Sequence, residues 1–176
     1  MALRTPVSEN DHSQGYPDAP IQLVEYGDYQ CPYCGRAYPI VKQLQQQLGD
    51  DLRFIFRNFP LSEIHPQAKQ AAVASEAAAL QGKFWEMHDV LFEHQHQLTH
   101  FSIMHYAKEM GLDIDVFEND MADAKLAEKV EKDFYSGMRS GVSATPTFFI
   151  NGEKYTGSWE PEPFLDYLSK VVSNKF

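Results

Sequence analysis

Ile21-Gln-Leu-Val-Glu-Tyr-Gly-Asp-Tyr-Gln-Cys-Pro-Tyr-Cys34 decides the fold. Its first half, Ile21–Tyr26, is short, apolar and β-rich, which predicts a strand. Beyond Cys31 the apolar residues Ala37, Ile40, Val41, Leu44 and Leu48 fall at helical spacing, and Gly49 supplies a helix stop. Leu52-Arg-Phe-Ile-Phe56 is a second apolar run and predicts a second strand. Strand, helix and strand in so short a span predict a right-handed βαβ unit with parallel strands.

Outward from this unit the pattern changes. Residues 1–20 are polar, with Pro6, Gly15, Pro17 and Pro20, and read as an arm with little regular structure. From His65 to Arg139 nearly everything reads as helix. Pro66 suits a first helical position, and the Ala-rich run Ala68 to Leu80 ends at Gly82. Phe84, Met87 and Leu91 mark a second helix. Ile103, Ala107 and Met110 mark a third, stopped by Gly111. Ile114, Phe117 and Met121 mark a fourth, and Leu126, Val130, Phe134 and Met138 a fifth. After Gly141, Thr147-Phe-Phe-Ile150 reads as a strand. Asn151-Gly152 reads as a type I′ hairpin turn, Lys154-Tyr-Thr156 as the return strand, and Pro161 to Val172 as a closing helix. The expected fold class is α/β: a mixed parallel and antiparallel sheet in the order βαβ…ββα, with an all-helical insertion. The expected division is an arm at 1–20, a core at 21–63 and 139–176, and a helical insertion at 64–138.

The chain has 176 residues, 43% of them apolar, and a net charge of −10. Its Lys and Arg residues are scattered, so a phosphate backbone is repelled and nucleic acid is excluded as an expected partner. No apolar run is long enough to span a bilayer, so no membrane insertion is expected. The N-terminal residues lack the apolar core of a signal peptide, which predicts a cytoplasmic location; a chain trimmed of its leader reads the same and would be exported or periplasmic.

The two cysteines, Cys31 and Cys34, stand three residues apart. A disulfide across so small a loop restricts the unfolded chain little, which favours a reactive or metal-binding role over a structural one. Pro32 suits the first helical position and makes Cys31 the N-cap. A sulfur there faces free N–H groups and the positive end of the helix dipole, which favours thiolate and makes Cys31 the nucleophile. Cys34, one turn along, is the resolving cysteine. Zinc would need two histidines beside the pair; His96 and His100 have a suitable mutual spacing but lie far along the chain. His94, His96, His100 and His105 cluster in sequence, with no carboxylate or cysteine set to complete a coordination sphere, and read as a solvated helix end. No metal site is assigned, and no cofactor beyond the redox-active Cys31–Cys34 pair.

The run Asp18 to Arg36 resembles the active-site region of the DsbA-like thioredoxin-fold oxidoreductases, and more narrowly the branch also fused to bacterial NhaA-type sodium/proton antiporters. The resemblance continues through Phe56-Arg-Asn-Phe-Pro-Leu61 with His65-Pro66, through Gly82 to Asp89, and through Gly141 to Gly152. It implies a thioredoxin fold and a protein-disulfide oxidoreductase acting on protein or peptide thiols and disulfides, recycled by a further redox partner. It implies that Pro146 is a cis-proline facing the cysteines and that Thr145 before it contacts substrate. It implies that Glu25 accepts the Cys34 proton; the alternative is a carboxylate paired with Arg53 or Arg57. The residues between the cysteines, Pro32 and Tyr33, influence the redox poise. Tyr33 stands where DsbA has a histidine, and Thr145 is isomerase-like, so both draw away from a strong oxidase and leave oxidase, reductase and isomerase directions open. A redox-gated binding module without catalysis and a glutaredoxin-like, glutathione-linked enzyme are the other readings. No added dimerisation domain is seen, so a monomer is expected.

Overall fold

The structure, a computed structural model, describes residues 1–174. Five strands form one mixed sheet in the order β1-β3-β2-β4-β5. The strands are β1 (His12–Gly15), β2 (Ile21–Gly27), β3 (Leu52–Asn58), β4 (Thr147–Ile150) and β5 (Glu153–Lys154). β2 and β3 run parallel, joined by helix α1 (Pro32–Leu48), which is the βαβ unit the sequence predicts. β4 lies antiparallel on the other side of β2. It turns back into β5 through Asn151 and Gly152, whose φ values of 50° and 87° are those of the hairpin turn read from that dipeptide. Helix α7 (Pro161–Ser173) closes the chain.

Between β3 and β4 stand five helices: α2 (Ala68–Leu80), α3 (Phe84–Glu93), α4 (His100–Glu109), α5 (Ile114–Met121) and α6 (Ala124–Arg139). α2 is alanine-rich and buried nearly all round, because it touches α3, α4, α5 and α6 together. Pro66 precedes α2 by a turn rather than opening it.

The sheet's two faces have different covers. Leu23, Glu25, Phe54, Phe56 and Phe148 face the larger core, which takes in α1, α7 and the helical block. Val24, Tyr26, Ile55 and Phe149 face a smaller core, closed by Phe59, Phe134, Val142, Leu3 and Val7. The one-residue alternation of a strand makes this division.

The expected unstructured arm at 1–20 is corrected at several points. His12–Gly15 is a strand, antiparallel to β3. Ala2 bridges Glu153 at the outer edge of the hairpin, and Leu3 N–H donates to the Gly152 carbonyl at 2.7 Å. Asp11 receives a two-pronged contact from the buried Arg57 guanidinium at 2.8 and 2.9 Å. Arg57 also donates to the Thr5 carbonyl and the Tyr26 hydroxyl. These partners are all distant in sequence, so local periodicity carries no trace of them. Arg57→Met alone leaves the Asp11 carboxylate without its counter-charge, held by the Ser8 N–H, and is expected to cost about 3 kcal/mol. The double variant with Asp11→Leu should recover most of that loss. Urea unfolding of the two variants checks both statements.

Candidate active site

Helix α1 begins where β2 ends, at the centre of the sheet. Cys31 is its N-cap, in extended conformation (φ −70°, ψ 124°), and Pro32 takes the first helical position, as the sequence predicts. Cys31 and Cys34 are both free thiols and both buried. Pro32 and Tyr33 between them face outward, Tyr33 being 58% exposed. Opposite lies the loop before β4, with a cis peptide bond at Thr145–Pro146. The Cys31 thiol donates to the Thr145 carbonyl at 3.6 Å.

The two sulfurs sit in opposite electrostatic settings. Cys31 is lowered to about 5, chiefly by the hydrogen bond from Cys34, against a cost of burial; Thr145 and the backbone N–H groups of Cys34 and Tyr33 add to the lowering. The Thr145 hydroxyl is buried and has no hydrogen-bond partner among the described residues. Cys34 is pushed well above its ordinary value by burial, then by its bond to Cys31 and by the charges of Glu25 and Cys31. The Asp28 N–H donates to the Cys34 sulfur at 3.5 Å. At neutral pH the pair is therefore one thiolate and one thiol. Ultraviolet titration of the reduced protein should show one thiolate forming near pH 5, with the second absent through pH 9.

Glu25 lies on β2 beneath this pair, 2% exposed. Its register partners are Phe56 on β3 and Phe148 on β4. One carboxyl oxygen, Oε2, has no hydrogen-bond partner among the described residues. Burial, and then the Cys31 charge, raise it to about 8. The alternative pairing with Arg53 or Arg57 is corrected. Both arginines fall one residue off the Phe54–Phe56 face, so they point to the opposite side of the sheet, Arg57 to Asp11 and Arg53 to Ser13. Gly27 gives the carboxyl its room: a Cβ there would lie 2.8 Å from Glu25 Oε2 and 2.5 Å from the Phe56 ring.

Three supporting groups were not legible in the sequence. The Asp28 carboxylate, 1% exposed, accepts from the N–H groups of Gln30 and Leu61 and from His65 Nδ1 at 2.8–3.0 Å. It ties the turn before Cys31 to the loop after β3. The Tyr29 hydroxyl and Nδ1 of His88 share a hydrogen bond of 2.9 Å, both rings lying in the aromatic core. Burial holds His88 well below the usual histidine range, so the ring is neutral. Gln95, from the segment after α3, donates to two carbonyls of the turn. Its only signal in the sequence was a run of histidines and glutamines.

Those histidines do not converge. His94 donates to the Val90 carbonyl, His100 approaches Glu118, and His105 pairs with Glu109 one turn on. Among the described residues no three His, Cys, Asp or Glu side chains are placed to hold a metal ion. None of the described helices is long and apolar enough to cross a membrane.

A family model described as Thioredoxin matches residues 7–170. The chain is 42% identical, over 99% of its length, to Na(+)/H(+) antiporter NhaA 1 of Salinispora arenicola. It spans about a quarter, 26%, of that relative's length. Among solved structures, a thioredoxin-like oxidoreductase from Silicibacter pomeroyi superposes with a TM-score of 0.83 at 25% identity, covering 94% of each chain. Alpha-DsbA1 of Wolbachia pipientis gives 0.83 at 23% identity, over 98% of this chain and 95% of that one, a likeness of fold.

Proposed function

The chain belongs to the thioredoxin family, and from that premise we propose that it exchanges disulfides with protein substrates through Cys31 and Cys34. The observation that supports this most is the split pair: a stabilised thiolate at the cap of α1, one turn from a protonated thiol.

The balanced steps follow from that split. The Cys31 thiolate attacks one sulfur of a substrate disulfide, forms a mixed disulfide with it, and expels the other as a thiolate. Cys34 then loses its proton to the Glu25 carboxylate and attacks the Cys31 sulfur. The substrate's second sulfur leaves as a thiolate, its two sulfurs take one proton from Glu25 and one from solvent to give a dithiol, and the pair is left as a disulfide; both electrons have passed to the substrate. Run backwards, the same steps oxidise a dithiol substrate and reduce the pair. Thr145 offers backbone to an extended substrate beside the cap, as an added strand would. A further redox protein must recycle the pair in either direction. The stabilised thiolate favours the dithiol form, so the pair should be more oxidising than thioredoxin, whose potential is about −270 mV.

Turnover of a model protein disulfide, followed with the wild type and with Cys34→Ser, tests this. The wild type should turn over, and Cys34→Ser should stall as a mixed disulfide on Cys31. Equal turnover by both would contradict the assigned roles.

The antiporter relatives favour a second reading, in which this domain is a redox-gated module that binds a transporter. It requires a partner that prefers one redox state. Equal capture of that partner by oxidised and reduced protein would count against it.

A further inference from the structure

Gln95 lies 64 residues beyond Cys31, in the segment between α3 and α4, yet it reaches back to the redox turn. Its amide nitrogen donates to the Tyr29 carbonyl at 2.9 Å and to the Cys31 carbonyl at 2.8 Å. A side-chain amide has two N–H donors, and this one has two carbonyl acceptors. The seat for the amide is Gly35, in the first turn of α1. A Cβ there would stand 2.0 Å from Gln95 Oε1, 2.7 Å from its Cδ and 3.0 Å from its Nε2. No side chain larger than hydrogen fits at position 35 while Gln95 keeps its place.

Cys31 needs such a hold. Its side chain makes no capping hydrogen bond of standard geometry, so the placing of its sulfur depends on its backbone as well as on its contacts with Cys34 and Thr145. Its N–H is held by the Asp28 carbonyl at 3.1 Å. Its carbonyl is held by Gln95 and by the Gly35 N–H at 3.1 Å. The sulfur meets the Tyr33 and Cys34 amides only while that carbonyl keeps its direction.

We propose that Gln95 is a positioning residue for disulfide exchange, holding the Cys31 backbone so that its sulfur stays over the first-turn amides of α1. The proposal rests on the reading of Cys31 as the nucleophile. It also gives the helical block a direct hold on the chemistry. Gln95 borders a groove of about 540 Å³ beside the redox turn, together with Pro32, Gly35, Arg36, His96 and Thr99. Whatever displaces the 95–99 segment there changes the hold on Cys31.

The test uses the full chain with both cysteines and three variants: Gln95→Ala, Gly35→Ala and the double variant. The readouts are the ultraviolet titration of the Cys31 thiolate and the rate of its attack on a small aromatic disulfide near pH 6. Gln95→Ala should move the titration upward by about one pH unit, the scale of one lost hydrogen bond, and slow attack about twofold at pH 6 through the smaller thiolate fraction. Gly35→Ala should do the same by displacing the amide, although alanine is the better helix former there. The double variant should be no worse than either single one, because both break one arrangement. Titrations and rates equal to the wild type in both single variants would overturn the proposal, as would fully additive effects. If the wild type performs no exchange at all, the functional reading fails instead, and the titrations alone decide the role of Gln95.

Discussion

Cys31→Ser should abolish disulfide exchange, lowering turnover by three orders of magnitude or more on the order expected for loss of a nucleophile that acts as thiolate. The size of the effect comes from the position of this sulfur rather than from cysteine as such. At the cap of α1 it gathers the Cys34 hydrogen bond, Thr145 and two backbone N–H groups, and together these outweigh its burial and lower it to about 5. At neutral pH it is already ionised. A serine hydroxyl in the same place stays protonated, and its oxygen forms no exchangeable bond to a substrate sulfur. The fold should survive, because Pro32 and the backbone of residue 31 still start the helix. Stopped assays with a model protein disulfide, alongside circular dichroism, separate loss of chemistry from loss of structure. Retained turnover in a folded Cys31→Ser protein would place the chemistry elsewhere.

Glu25→Gln should slow the resolving step about a hundredfold at pH 7, within the range of a lost general base, while leaving the first attack by Cys31 nearly unchanged. Cys34 is held well above its ordinary value by burial, so it needs an acceptor, and the Glu25 carboxylate is electrostatically coupled to it. In the wild type, resolution should speed up as pH rises and Glu25 ionises, below the value of about 8 that it has beside the Cys31 thiolate, because that charge is gone in the mixed disulfide; in the variant that rise should vanish. The same substitution should stabilise the protein at neutral and alkaline pH. The folded value, about 8, lies above the unfolded one near 4.5, so the folded state binds more protons between those limits. Stability from this group is full below pH 4.5 and is lost as pH rises through 8. The advantage of Glu25→Gln over the wild type should therefore be small at pH 4.5 and grow to a few kcal/mol by pH 8, at about 1.4 kcal/mol per unit. Denaturant unfolding at several pH values reads it directly. A constant difference across that window would mean that Glu25 is ionised as readily folded as unfolded.

The sequence made the centre of the sheet and its redox turn readable because their signals are local. Ile21–Tyr26 alternates no further than its own strand, Pro32 follows its own cap, and Asn151-Gly152 makes its own turn. Cys31 and Cys34 announced themselves by spacing alone. What escaped was held together across the chain. His12–Gly15 is too short and too polar to show strand periodicity, and forms because β3 offers it an edge. Arg57 looked like a partner for Glu25 because both are charged and nearby; only the register of β2 on β3 puts them on opposite faces. Asp28, His88 and Gln95 sit in stretches whose polar residues look solvated, and each is turned inward by a partner thirty or more residues away. Gly27 and Gly35 leave the room that Glu25 and Gln95 occupy, a use that no local pattern carries.

On the proposed function, Cys31 and Cys34 form one reversible redox unit. Equilibration of the protein against glutathione and glutathione disulfide, with acid quenching and mass measurement of each species, tests it most directly. The expected result is a single transition between the dithiol and the internal Cys31–Cys34 disulfide, at a potential above thioredoxin's. A protein that stays dithiol across the whole range, or that collects only glutathione adducts without closing the internal bond, would contradict it.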